Sequence, residues 1–141
     1  MTIQSILLPV FVQVALTFLL LFAMGGLRIA ALRGGSVRSA DAAVGQAVWP
    51  GRAAQVGRAF QNQFELPLLF YVLVVLAILT RKADAVIVTI EWLFVLSRLA
   101  HAAIHTSANN LTLRFSAFAF GAVVLLVGWI VLAVGVLAAA P

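Results

Sequence analysis

Gly57-Arg58-Ala59-Phe60-Gln61-Asn62-Gln63-Phe64-Glu65-Leu66-Pro67 runs directly into the apolar stretch 68–79. An Arg, an Asn and a Glu thus stand in the entry of a hydrophobic segment. Their spacings are four and three residues, so the three side chains share one face of a helix. A charge inside a membrane segment is costly and points at protein or water rather than lipid. Reading this stretch as the polar start of a spanning helix decides the fold. It also raises the question of what the polar face is for.

The rest of the composition supports a membrane reading. Of the 141 residues, 65% are hydrophobic and only 9% are charged, against roughly 25% charged in soluble domains. The mean hydropathy is +1.17. The apolar runs are long and continuous rather than alternating, which argues for helices and against a closed barrel. The expected fold class is all-α integral membrane, a bundle of four transmembrane helices in a single domain. The net charge is +5. No basic patch with interleaved aromatics forms a nucleic-acid module, so nucleic-acid binding is not expected. Cysteine is absent, which excludes disulfides, thiolate metal sites and a protein thiol nucleophile. Any thiol chemistry needs an external thiol. The first residues carry no Lys or Arg, unlike a signal peptide, so the first apolar run is read as a retained helix.

In chain order, helices are expected at about 5–31, 56–80, 85–105 and 113–139, with a long loop over 32–56. Pro9 lies near the start of the first helix, where a missing N–H matters least. Arg28, after Gly25-Gly26, reads either as a snorkelling anchor or as a site residue. Pro67 sits inside the second helix and predicts a kink beside Glu65. Arg81-Lys82-Ala83-Asp84 is a tight connection that makes the second and third helices an antiparallel hairpin. On the third helix, Glu91 is expected to pair with Lys82 or Arg81. Arg98, His101 and His105 share a face. Gly121, Gly128 and Gly135 recur every seven residues on the fourth helix and suit close helix packing.

Arg28, Arg33, Arg38, Arg52, Arg58, Arg98 and Arg114 fall on one side of this topology, and Arg81 and Lys82 on the other. The bias places the arginine-rich loops in the cytoplasm and both termini outside. The ends of helices one and three and the starts of two and four then meet in one layer. That layer suits an anionic, hydrogen-bonding ligand entering from the cytoplasm. The apolar helices beside it suit a lipophilic partner. The plainer reading is that Arg58, Arg98 and Arg114 are membrane anchors and that Glu65 neutralises one of them. His101 and His105 are half of a metal site, but a third ligand is missing unless Glu65 supplies it. No metal is therefore expected. No catalytic triad or phosphate loop is readable. A transporter has little support, because no inverted repeat is apparent.

Arg58-Ala59-x-x-Asn62-x-x-Glu65-x-Pro67, at the start of a second membrane helix, resembles the MAPEG family, the membrane-associated proteins in eicosanoid and glutathione metabolism. Arg98-x-x-His101-x-x-x-His105, followed by Arg114, is similar to the family's second motif, in which a Tyr normally stands at the position of His105. The likeness extends over nearly the whole chain, in the manner of a bacterial-type member of the cell (inner) membrane. It implies a homotrimer with glutathione, as co-substrate, bound between subunits near the cytoplasmic side. Arg58, Asn62 and Glu65 would hold glutathione, with Glu65 facing its amino group. Arg98 and Arg28 would meet its carboxylates, and His105 would add a hydrogen bond. Arg114 would be the catalytic group that favours the thiolate. The implied activity is that of a transferase or peroxidase acting on lipophilic electrophiles. His105, Phe60 and Leu66 depart from the family's usual residues. The alternative is a non-enzymatic membrane scaffold or lipid-binding protein of the same fold.

Overall fold

The computed structural model describes residues 1–138. The expected last residue of the fourth helix, Ala139, lies outside them. Six α-helices follow one another: α1 (Ile3–Arg33), α2 (Ser39–Ala43), α3 (Gly51–Gln61), α4 (Leu66–Leu79), α5 (Ala85–Thr106) and α6 (Leu111–Leu137). A 3₁₀ turn, Asn62–Phe64, joins α3 to α4. Four stretches are long and apolar enough to cross a membrane: α1, α3 with α4, α5 and α6. The protein is an integral membrane protein with the four-span helical architecture that its composition predicts.

Local chemistry sets the helix ends. Thr2 caps α1 by accepting the Ser5 N–H at 3.3 Å. Asp84 caps α5 by accepting from the N–H groups of Val86 and Ile87 at 2.9 and 3.0 Å. Asn110 caps α6 through the Leu113 N–H at 3.1 Å. Such caps satisfy backbone donors that a helix start leaves free. The two tight connections each place a non-glycine residue in the left-handed region, Arg81 at φ 58° and Asn109 at φ 50°. Asn tolerates that region well; Arg does so only in a turn with little choice.

The second span differs from expectation in two ways. It begins at Gly51, five residues before position 56, so the polar connection shrinks to 34–50 and contains the short α2. The span is also broken rather than kinked. Glu65 has φ −96° and ψ −102°, outside the helical region, and Pro67 lies in the first turn of α4. The reason is steric. Proline has no N–H and its ring clashes with the carbonyl four residues back, here that of Gln63, while the residue before it avoids the helical region. The 3₁₀ turn and the break at Glu65 remove that conflict. Gln63 is pinned in the turn. Its Oε1 accepts from Gln13 Nε2 of α1 at 2.8 Å, and its own Nε2 donates to the Ala59 carbonyl at 3.1 Å.

α5 is the central helix. More than half of its most apolar window is buried (56%), against 28% for α1 and 22% for α6. Its closest neighbour is α6. Two glycines let the pair approach. A Cβ on Gly121 would collide with the Ser97 hydroxyl, and one on Gly128 would stand 2.9 Å from Ile90 Cγ2 and 3.0 Å from Leu73 Cδ2. Gly121 and Gly128 therefore have the packing role expected of them, whereas Gly135 meets only the stem of Lys82. Phe70 of α4 stacks on Phe94 of α5 at 4.9 Å between ring centroids. Around them Leu73, Val74, Ile87, Val95, Leu125 and Leu132 form the main core. Outward rows such as Phe11, Phe18 and Phe22, or Val123, Leu126 and Ile130, are exposed, as lipid-facing surfaces of spans should be.

Candidate functional site

A pocket of about 370 Å³ opens at the end of the bundle where α5 finishes and α6 begins. Arg58, Asn62, Glu65, His101, His105 and Arg114 line it. Five of the seven residues expected to form a site are thus brought together, with His101 added. Gln61, Leu111, Phe115 and Phe118 complete the wall. These four were missed. Gln61 and Phe118 follow Arg58 and Arg114 by three and four residues, which is the spacing of a shared helix face and the one signal that points to them.

The broken span builds one wall. Arg58 comes from the last turn of α3, Asn62 from the 3₁₀ turn, and Glu65 from the break itself. Arg58 and Glu65 are exposed at the rim and Asn62 is half-buried. Opposite stand His101 and His105 of α5, both buried, and Arg114 from the first turn of α6. Arg114 is tied back to the α5–α6 connection by donating from Nη1 to Asn109 Oδ1. This fixes its guanidinium while leaving other N–H groups free, since Arg carries five donors.

His101 sits between the two walls. Its Nδ1 lies 3.0 Å from the Arg114 carbonyl oxygen, and its Nε2 lies 3.2 Å from Asn62 Nδ2. The His105 ring stands edge-on to it at 5.6 Å. Both His105 ring nitrogens are buried without a hydrogen-bond partner. Buried polar atoms are nearly always paired, so His105 presents capacity that a ligand can use. Among the described residues, no group of three His, Asp or Glu side chains is placed to hold a metal ion.

Two expected residues lie elsewhere. Arg98 is completely buried behind the pocket wall and does not line it. Its Nη2 donates to the Asn62 backbone carbonyl at 3.3 Å, and its guanidinium lies 5.6 Å from the centre of the Phe118 ring. Arg98 thus ties α5 to the 3₁₀ turn at which the second span breaks. Arg28, in the last turns of α1, lies against another face of α3. Its guanidinium covers the Trp49 ring at 4.7 Å, a cation–π contact, and passes close to Gly57. Within one chain it is an anchor for the 34–50 connection.

Glu91 corrects a further expectation. It does not pair with Lys82 or Arg81. It is fully buried and both carboxyl oxygens lack a partner. Among the described residues the one ion pair is Arg38–Asp41, at 2.9 Å on the surface. The reason is direction: Glu91 lies on the same inward stripe of α5 as Ile87, Phe94 and Arg98, whereas Lys82 reaches toward Gly135 of α6.

A four-span helical bundle with a polar pocket at the broken second span defines a small integral membrane protein with a site at one end of its helices. The family model described as MAPEG family matches residues 6–134. The chain belongs to the MAPEG family. Comparisons with curated proteins and with solved structures give no match.

Proposed function

We propose that the protein is a membrane-bound, glutathione-dependent transferase or peroxidase acting on lipophilic electrophiles. The observation that carries this reading is the convergence of Arg58, Asn62, Glu65, His105 and Arg114 on one pocket. Two cations, a carboxylate, an amide and an unpartnered imidazole match a ligand that bears carboxylates, an amino group and peptide bonds. Glutathione supplies the nucleophilic sulfur that this cysteine-free chain lacks. Glu65 would hold the amino group and Arg58 a carboxylate. Arg114 would stand at the sulfur, where a fixed cation favours the thiolate.

Glu65 is exposed on the single chain although it lies about 10 Å along the helix from Arg58. A charged group at that depth faces protein or water. This supports a homotrimer in which a neighbouring subunit closes the pocket, with Arg28 of that subunit completing it. The positive-inside bias supports a pocket at the cytoplasmic face, and the proposed setting is a cell (inner) membrane. A groove of about 460 Å³, lined by Val14, Phe18, Phe64, Leu68 and three more polar residues, lies on the other side of the 3₁₀ turn. It suits the lipophilic substrate. The same groove favours the second reading, a lipid-binding protein without chemistry.

Glutathione binding to purified protein, followed by a thiolate difference spectrum, separates the two. The parent should bind and show the thiolate band. Arg114→Ala should lose the band while keeping much of the binding. Absence of binding at millimolar glutathione rejects the enzyme reading.

A further inference from the structure

We infer that His101 is a positioning residue that sets which end of the Asn62 amide faces the ligand. The chemistry of its two contacts dictates the assignment. The Arg114 carbonyl oxygen can only accept, so Nδ1, 3.0 Å away, carries the ring proton and donates it. The neutral ring then has a bare Nε2, which can only accept. Its partner at 3.2 Å is Asn62 Nδ2, an N–H donor. Donor and acceptor alternate along the whole chain of contacts, from the Asn62 amide through the imidazole to the α6 backbone. One Nδ2 N–H is therefore committed to His101, which fixes the orientation of the amide and leaves Oδ1 as an acceptor in a pocket that Asn62 lines.

Asn62 is held at a second point. Arg98 donates to its backbone carbonyl at 3.3 Å. Arg98 and His101 are three residues apart on α5, one face of one helix. Together they grip the residue at which the second span stops being α-helical, one at the backbone and one at the side chain. The grip has a consequence for specificity. Asn62 Oδ1 and the Glu65 carboxylate, three residues apart across the break, form an acceptor-only pair. Such a pair selects an ammonium or N–H donor and repels a carboxylate. The inference rests on the glutathione reading only for the identity of the donor, the amino group of the ligand.

Two measurements test it separately. The first needs no ligand. The chain has two histidines, so nitrogen-15 NMR of ring-labelled histidine, with His101→Gln to assign the lost signals, reads the proton position directly. A proton on Nδ1 and a bare Nε2 are expected; a proton on Nε2 overturns the inference. The second compares glutathione with an analogue lacking its α-amino group, by calorimetry on the full chain. His101→Phe should weaken glutathione about tenfold, close to one hydrogen bond's worth, and leave the analogue within about twofold. In an Asn62→Ala background it should cost nothing further. Equal loss for both ligands means general packing and rejects the positioning role. If the parent binds neither ligand, the glutathione reading fails, and the ring-nitrogen spectrum still decides the inference.

Discussion

The two halves of α5 treat polar groups in opposite ways. Toward its start, Glu91 is fully buried in an apolar core with no partner for either oxygen. Toward its end, Arg98 and His101 are equally buried, yet each reaches a group on another element, although Arg98 Nε and Nη1 and both His105 ring nitrogens have no partner. The difference is supplied by the neighbours. Alongside this half, α4 and α6 are continuous helices. Around Arg98 and His101 the second span is broken, which brings the Asn62 amide and carbonyl within reach, and the Arg114 carbonyl of α6 accepts a further bond. A polar side chain inside a membrane bundle finds a task where a backbone is interrupted.

The largest way to disturb this contrast is at the seam of the continuous half. Gly128→Val adds a branched side chain where even a Cβ would stand 2.9 Å from Ile90 and 3.0 Å from Leu73. Overpacking of this kind costs about 1–3 kcal/mol, and more where backbones must separate. Thermal unfolding in detergent should drop sharply, and the pocket should be lost with it because α5 supplies His101 and His105 to its wall. A parent-like melting curve would show that the two helices are not held at this distance.

Healing the break should come next. Pro67→Leu restores an N–H and removes the clash with the Gln63 carbonyl, so α3 and α4 can run together. Hydrogen exchange over residues 62–68 should slow, and glutathione binding should weaken about tenfold as Asn62 and Glu65 turn out of register. Faster binding loss without slower exchange would mean that Pro67 acts on the ligand rather than on the helix.

The smallest effect is expected at the unpartnered carboxyl. A buried polar group without a hydrogen bond costs about 1–3 kcal/mol. Glu91→Met keeps the volume and removes that cost, so melting should rise by a few degrees with glutathione binding unchanged. A fall in stability would show that Glu91 has a partner in the assembled protein and would erase the contrast between the two halves.

The sequence was most legible where its chemistry is local. Four spans and the packing glycines Gly121 and Gly128 follow from residue type and spacing. The polar pocket was legible as a layer, since charges in apolar runs have few explanations. Pro67 announced a disturbance but not its form. Whether a proline kinks or breaks a helix depends on contacts distant in sequence, and Arg98, which donates to the Asn62 carbonyl, lies 36 positions from it in the chain. The same limit hid the Gln13–Gln63 bond, which joins residues 50 positions apart. Arg98 was expected to contact a ligand from the family resemblance and from its place in the polar layer, on the face it shares with His101 and His105. Spacing defines a face but not how deep a side chain ends on it. Glu91 was given a partner by proximity in sequence, when its helical face decided otherwise.

The break in the second span also bears on how the chain is made. Spans enter a membrane in order, and the bond from Arg98 to the Asn62 carbonyl joins the second span to the third. When only the first two spans have emerged, the Asn62 carbonyl has no arginine to receive. The third span brings Arg98 and closes the gap. The second span is therefore unfinished until its successor arrives, and biogenesis of the site is tied to the docking of α5.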